Sequence, residues 1–304
     1  MRSRLFCAVL LLTLSGTGIN SPAASSAQEE NTPKVVWHSV SDWDIEGGAW
    51  PVDELAPSHA RLPSKAGRIV PGKVWNLSGI DPGIHTYMAY FPLRNSLLDV
   101  SLGVPRGAKF QPVAPRSEKP IIFYGTSITH GACASRPGMS HVAILGGRLN
   151  LPVVNLSFAG NGTMDPKVGA LLTELDAAVY VIDCLPNMNG DQVAEKTEPL
   201  VKQLRQARPD TPIVLVEDRS FSNSWRFKSR RDHHEKSRSA LVRAYDNLVS
   251  YRVKAPYCLG GEDLLGDDTE ATTDGSHPSD FGFLRQAKAF KPLLKQAIGA
   301  IGLN

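Results

Sequence analysis

Two things are scarce in this sequence: long apolar runs and charge of one sign. Beyond residue 14 no stretch approaches the ~20 consecutive apolar residues that a membrane-spanning helix needs, so no membrane span is expected. Lys and Arg number 33 against 30 Asp and Glu, and two of the basic residues, Arg2 and Arg4, stand in the first five positions. A balance this close gives neither the basic field that gathers nucleic acid nor one suited to an acidic surface, and nucleic acid is excluded as an expected partner. The CxxC and HExxH spacings that hold zinc are missing, so neither a metal nor a cofactor is expected. Cysteine is sparse too. Apart from Cys7 there are only Cys133, Cys184 and Cys258, an odd number that excludes a fully paired framework; buried free thiols are the expectation. There is no internal repeat and no low-complexity tract.

The first 27 residues carry Arg2 and Arg4, an apolar run from Leu5 to Leu14, and small polar residues ending in Ser25-Ser26-Ala27. This is the layout of a secretory signal peptide, with cleavage expected after Ala27 or Ala24 and a periplasmic or extracellular destination. With 304 residues the chain has room for a medium domain and a small one. Residues 33–115 are rich in Pro, Gly and Trp, with strands expected at 73–77, 85–91 and 97–104, and read as a small β-sandwich-like domain. Four of the five tryptophans, Trp37, Trp43, Trp50 and Trp75, lie here. They suit either the core of such a domain, the more common use, or sugar-stacking platforms. Residues 107–118, with Pro112 and Pro115, read as a linker.

From residue 119 to 304 strands alternate with helices. Strands are expected at 120–124, 153–158, 178–184, 212–217 and 257–259, and helices at 141–149, 166–175, 191–208, 237–251 and 279–298. The unbroken apolar run Ile121-Ile122-Phe123-Tyr124 suits a strand covered on both faces. Such alternation implies an α/β fold with a parallel five-stranded sheet and helices on each side, preceded by the β-rich domain.

In open sheets of this kind ligands bind beyond the carboxyl ends of the strands, and there the polar residues collect. Gly125-Thr126-Ser127 follows the first strand, making Ser127 the candidate nucleophile. Gly160 follows the second, where a backbone N–H can approach a substrate oxygen unobstructed. Asn187 follows the third and offers a side-chain NH2. With the Ser127 amide these make an oxyanion hole. Asp274-Gly275-Ser276-His277-Pro278 precedes the last helix and lets one loop deliver a carboxylate and an imidazole. Taken singly, each of these stretches is an ordinary turn; it is their collection at successive strand ends that is informative. After the fourth strand, a polar segment from Glu217 to His234 with embedded aromatics is expected to cover the crevice, with His233 and His234 on a solvated surface.

In order along the chain these residues resemble the blocks of the SGNH hydrolases, the GDSL esterases. Gly125-Thr126-Ser127 stands where the family has Gly-Asp-Ser, followed by Gly160, Asn187 and Asp274-x-x-His277. Thr126 departs from the family aspartate, and Leu185-Pro186-Asn187 from Gly-x-Asn-Asp. The Gly-Thr-Ser-Ile-Thr form is similar to a bacterial subgroup with a β domain ahead of the hydrolase. The resemblance implies a flavodoxin-like three-layer α/β/α sandwich with Ser127 as nucleophile, His277 as base and Asp274 as its orienter. Ser127, Gly160 and Asn187 are then the oxyanion donors. It further implies a serine esterase acting on a small-molecule or oligosaccharide ester, above all a carbohydrate O-acetylesterase. A lipid or thioester acylhydrolase, or a non-catalytic carbohydrate-binding protein on the same fold, stand as alternatives.

Overall fold

The computed structural model describes residues 9–15, 35–39, 83–94, 100–254, 256–300 and 302. These fall into two compact units, one ending at Arg116 and the other starting at Ser117.

The first unit is antiparallel β structure. Its strands are β1 (Val9–Ser15), β2 (Val35–Ser39), β3 (Ile84–Tyr90), β4 (Ser101–Pro105) and β5 (Lys109–Pro112), in sheets ordered β3-β1-β5 and β2-β4. The His38 and Phe110 rings, 4.9 Å apart, link the two sheets. Along β3 the side chains of His85, Tyr87 and Ala89 are half-buried, while Ile84, Thr86 and Met88 face water, the alternation its sequence predicts. Two features differ from expectation. β5 lies inside the stretch read as a linker, because a four-residue strand that ends in a proline is too short to show a period. β1 is formed by the apolar run of the expected leader and pairs with both β3 and β5. The strand expected at 73–77 lies outside the described residues.

The second unit is built on a fully parallel sheet of β6 (Ile121–Gly125), β7 (Val153–Ser157), β8 (Val179–Asp183), β9 (Ile213–Val216) and β10 (Pro256–Leu259). Its order, β10-β9-β8-β6-β7, is the doubly wound order of flavodoxin-like folds, in which the chain reverses its progress across the sheet between β6 and β8. Helices α1 (Ser127–His130), α2 (His141–Leu149), α3 (Pro166–Glu174), α4 (Gly190–Ala207), α5 (Lys228–Ser250) and α6 (Asp280–Gly299) complete the unit.

Successive residues of β6 supply opposite cores, as a strand period of two requires. Ile122 and Tyr124 enter a cluster with Val168 and Leu172 of α3, Val193, Leu200 and Leu204 of α4, and Leu241 and Leu248 of α5. Ile121 and Phe123 enter the other, with Val142 and Leu145 of α2 and Phe290 and Leu294 of α6. The result is three layers, helix on sheet on helix. Ser140 caps α2 by accepting from the Ala143 N–H, as its position predicts. Helix α5 begins nine residues before the expected 237, because its first turns are polar on nearly every side and show no apolar period. Among the described residues no helix is long and apolar enough to cross a membrane. Cys133, Cys184 and Cys258 are free, Cys184 buried as expected but Cys133 exposed.

One polar residue is misplaced by the usual rules. His141, on α2, is fully buried, stacked at 12° on Phe283 and edge-on to Phe123, and neither ring nitrogen has a hydrogen-bond partner among the described residues. Burial first, and then the nearby Arg219 charge, lower its pKa from 6.5 to about 3. The folded imidazole therefore stays neutral while that of the unfolded chain takes up a proton. This contribution to stability is complete above about pH 6.5 and is lost as pH falls toward 3. The expected slope is about 1.4 kcal/mol per pH unit from this one group. His141→Phe keeps the ring stacking and removes the titration, so the gap in urea-unfolding free energy between pH 7.5 and pH 5 should narrow relative to wild type.

Candidate active site

The position of Ser127 is set by how β6 ends. Thr126 leaves the strand in an extended conformation and caps α1. Its hydroxyl accepts from the Ile128 N–H at 3.2 Å, and its own N–H donates to Thr129 Oγ1 at 3.4 Å. The threonine that departs from the family pattern thus serves as an N-cap, which an aspartate would also do. Ser127 is the first helical residue, so its N–H is among those the helix itself does not use. Gly125 has to be glycine: a β-carbon there would lie 2.1 Å from Thr129 Oγ1 and 2.8 Å from the Asp183 carbonyl oxygen.

His277 arrives from the loop before α6. The Asp274 carboxylate accepts from the backbone N–H groups of Ser276 at 3.0 Å and His277 at 2.7 Å through Oδ1, a local turn that leaves Oδ2 for the ring. Oδ2 lies 2.7 Å from His277 Nδ1, and His277 Nε2 lies 2.9 Å from Ser127 Oγ. A carboxylate only accepts, so Nδ1 carries the proton and Nε2 offers its lone pair to the serine hydroxyl. Partial burial would raise the Asp274 pKa, but the hydrogen bonds from the His277 backbone, the His277 ring and the Ser276 N–H outweigh it and lower the pKa. Asp274 is therefore ionised throughout the neutral range. Its side chain is nevertheless about half-exposed, at 51%.

Gly160 and Asn187 meet where the segments after β7 and β8 come together. Gly160 has φ 75°, a left-handed conformation in which a β-carbon would touch nothing but would be strained. The turn it belongs to is tied to β6, since the Phe158 N–H donates to the Gly125 carbonyl at 3.0 Å. Gly162 packs so closely there that a β-carbon would lie 2.1 Å from the same carbonyl oxygen. The partners of the Asn187 carboxamide fix its orientation. With its oxygen toward the turn it accepts from the N–H groups of Asn161 and Gly162 at 3.2 Å and Gly160 at 3.3 Å, and its NH2 points the opposite way. All five residues picked from the sequence thus come from the carboxyl ends of β6, β7 and β8 and from the loop before α6. A further tie was not foreseen: Ser135, shortly after α1, donates its N–H to Asp280 Oδ1 at 2.8 Å and its hydroxyl to Oδ2, joining the serine segment to the start of α6.

Beneath the site lies a charge network that sequence reasoning missed. Asp183, the last residue of β8, is fully buried; its Oδ2 accepts from Thr129 Oγ1 at 2.7 Å, and Arg219 Nη2 lies 2.8 Å and 3.0 Å from its two oxygens. Removal from water pushes the Asp183 pKa up, while Arg219 and Thr129 pull it back. Asn155 Nδ2 holds the Thr129 carbonyl at 2.8 Å, so α1 is gripped at both ends of its third residue. His234 is also misread from sequence. It is buried, its Nδ1 lies 3.0 Å from Asp218 Oδ2, and its Nε2 accepts from the Phe221 N–H at 3.2 Å. It braces the loop after β9 instead of facing solvent. The signal that could have found it is its place three residues before Ser237 and seven before Leu241, on the one helical face that is buried.

Removing one member of a fully buried ion pair strands the other, at a typical cost of about 3–5 kcal/mol. Arg219→Met should therefore destabilise the protein by about that amount in urea unfolding, and Asp183→Asn combined with Arg219→Met should recover part of the loss.

A protein-family model described as the GDSL-like lipase/acylhydrolase family matches residues 118–295. A search of curated proteins returned no match. Among solved structures, a protein described as a GDSL-like lipase from Bacteroides ovatus is 24% identical with a TM-score of 0.67, the alignment covering 96% of this chain and 82% of that one. A salicylyl-acyltransferase from a tetracycline biosynthetic pathway is 18% identical with a TM-score of 0.61, over 97% and 80%. A family two carbohydrate esterase from Clostridium thermocellum, solved with cellohexaose, is 16% identical with a TM-score of 0.58, over 97% and 91%. These structures share the fold. With the family model spanning more than half of its length, the chain belongs to the GDSL-like lipase/acylhydrolase family and is an ester-hydrolysing enzyme.

Proposed function

We propose that the protein is an exported serine esterase that removes small acyl groups, acetyl above all, from carbohydrate through an acyl-enzyme. The observation that carries the mechanism is the unbroken line from Asp274 Oδ2 through the His277 ring to Ser127 Oγ, with separations of 2.7 Å and 2.9 Å. Ser127 Oγ attacks the ester carbonyl carbon as its proton passes to His277 Nε2, and Asp274 holds the imidazolium that forms. The negative charge that develops on the carbonyl oxygen is met by the Ser127 N–H and, once the Asn187 carboxamide turns over and releases the Gly160 N–H that it holds at 3.3 Å, by the Gly160 N–H and the Asn187 NH2. Collapse of the tetrahedral species breaks the bond to the alcohol, which takes its proton from His277. Water, deprotonated by the same nitrogen, then attacks the acyl-enzyme, releasing the acid and restoring the serine hydroxyl.

The carbohydrate reading is supported by the leader with Arg2, Arg4 and its apolar run, by the additional β unit, and by fold likeness to a carbohydrate esterase solved with cellohexaose. Its destination is the periplasm or the medium, with the mature chain starting after Ala24 or Ala27.

Assayed on acetylated oligosaccharides, Ser127→Ala should lose about 10⁴-fold or more in kcat. Asp274→Asn should cost less, about 10²–10³-fold, because a half-exposed carboxylate acts through a higher dielectric than a buried one. On nitrophenyl esters, activity should fall at least about tenfold from acetyl to octanoyl. A flat or rising chain-length profile would favour a lipid acylhydrolase, and an unreactive Ser127 toward a fluorophosphonate would mean a non-catalytic protein.

A further inference from the structure

The loop after β9, which contacts the segment carrying His277, displays an exposed aromatic side chain. Trp225 is 69% exposed, an unusual state for the largest apolar side chain. Its backbone, in contrast, is held firmly. The Arg231 guanidinium donates to the carbonyl oxygens of Ser224 at 2.7 Å and Trp225 at 2.9 Å. The Ser224 N–H donates to the Phe221 carbonyl at 2.9 Å, and the Arg226 N–H to that of Asn223 at 3.1 Å. The base of the loop is anchored by Phe221, which is buried edge-on against His234 at 4.5 Å and bonded to it through its N–H.

The same loop touches the segment that carries the base. Asn223 lies against Gly275, so close that a β-carbon on Gly275 would fall 2.2 Å from Asn223 Nδ2. Gly275 stands between Asp274 and His277. Trp225 is two residues beyond Asn223, so its backbone stands within ~7 Å of chain of the residue that contacts the base's own loop.

We propose that Trp225 is the platform on which a sugar ring of the substrate stacks, holding the alcohol side of the ester over His277. The proposal rests on the carbohydrate reading above and names the residue that would enforce it. A pyranose ring has a face of C–H groups that suits the negative face of an indole, while its hydroxyls stay in water; an open, solvent-facing platform meets both needs. A fatty acyl chain would instead need a walled apolar channel, and an acetyl group needs no platform. Because the backbone of the loop is already fixed, little ordering has to accompany binding.

The test compares kcat/KM for partially acetylated cello- and xylo-oligosaccharides with kcat/KM for ethyl acetate, whose alcohol is too small to stack. In Trp225→Ala the ratio of the two should fall about tenfold, mainly through KM, and in Trp225→Phe it should stay within about threefold of wild type. A ratio unmoved in Trp225→Ala overturns the platform while the carbohydrate reading stands. Parallel loss on both substrates also overturns it, since that pattern belongs to a structural role. If wild type hydrolyses ethyl acetate but neither oligosaccharide, the carbohydrate reading fails and the platform fails with it.

Discussion

A single carboxylate that never meets water organises the catalytic end of the sheet. Asp183 ends β8 and is gripped by Thr129 from α1 and by Arg219 from the loop after β9. Three segments that are far apart in sequence therefore share one charge. A buried ion pair of this kind adds little net stability over an apolar substitute, because both partners give up hydration. What it imposes is position: any displacement of α1 would lengthen a hydrogen bond to a charge with no water to replace it. The absence of a side chain at Gly125 follows from the same constraint, since Thr129 can reach Asp183 only through the space a β-carbon would fill.

The hydroxyl and the imidazole are thus held by independent devices. Ser127 is fixed from below by the Asp183 network and by the Thr126 cap. His277 is fixed by the turn that Asp274 makes with its own loop and by Asn223 pressing on Gly275. Ser135 and Asp280 join the two segments across the gap. The 2.9 Å separation of Ser127 Oγ and His277 Nε2 is what remains when both sides are constrained. It follows that residues outside the Ser127, His277 and Asp274 line, such as Thr129 and Asn223, bear on its alignment.

Much of this was legible in the sequence, for reasons that also explain the rest. β6 to β9 read clearly because apolar runs bounded by turn residues have few other uses; Ser127, Gly160 and Asn187 read clearly because each follows one of these strands, and Asp274 and His277 because they stand just before the closing helix. α1 was not visible, since four residues are too few to show a helical period. The start of α5 was hidden by its polarity, and His234 with it: a buried histidine whose two nitrogens are both satisfied looks, in sequence, like any solvated one. Asp183 and Arg219 were hidden more deeply. Pairing between residues 36 positions apart leaves no local trace, and a charged residue at a strand end is ordinarily read as exposed.

The exposure of Asp274 fits the same arrangement. An orienting carboxylate is often kept ionised and directed by enclosure; here half of the side chain faces water, and backbone N–H groups from its own loop lower its pKa. Orientation supplied by covalent neighbours needs no roof. The imidazole is then held in place without enclosure, whereas the turn that carries Gly160 depends on close packing, Gly162 lying directly on the Gly125 carbonyl.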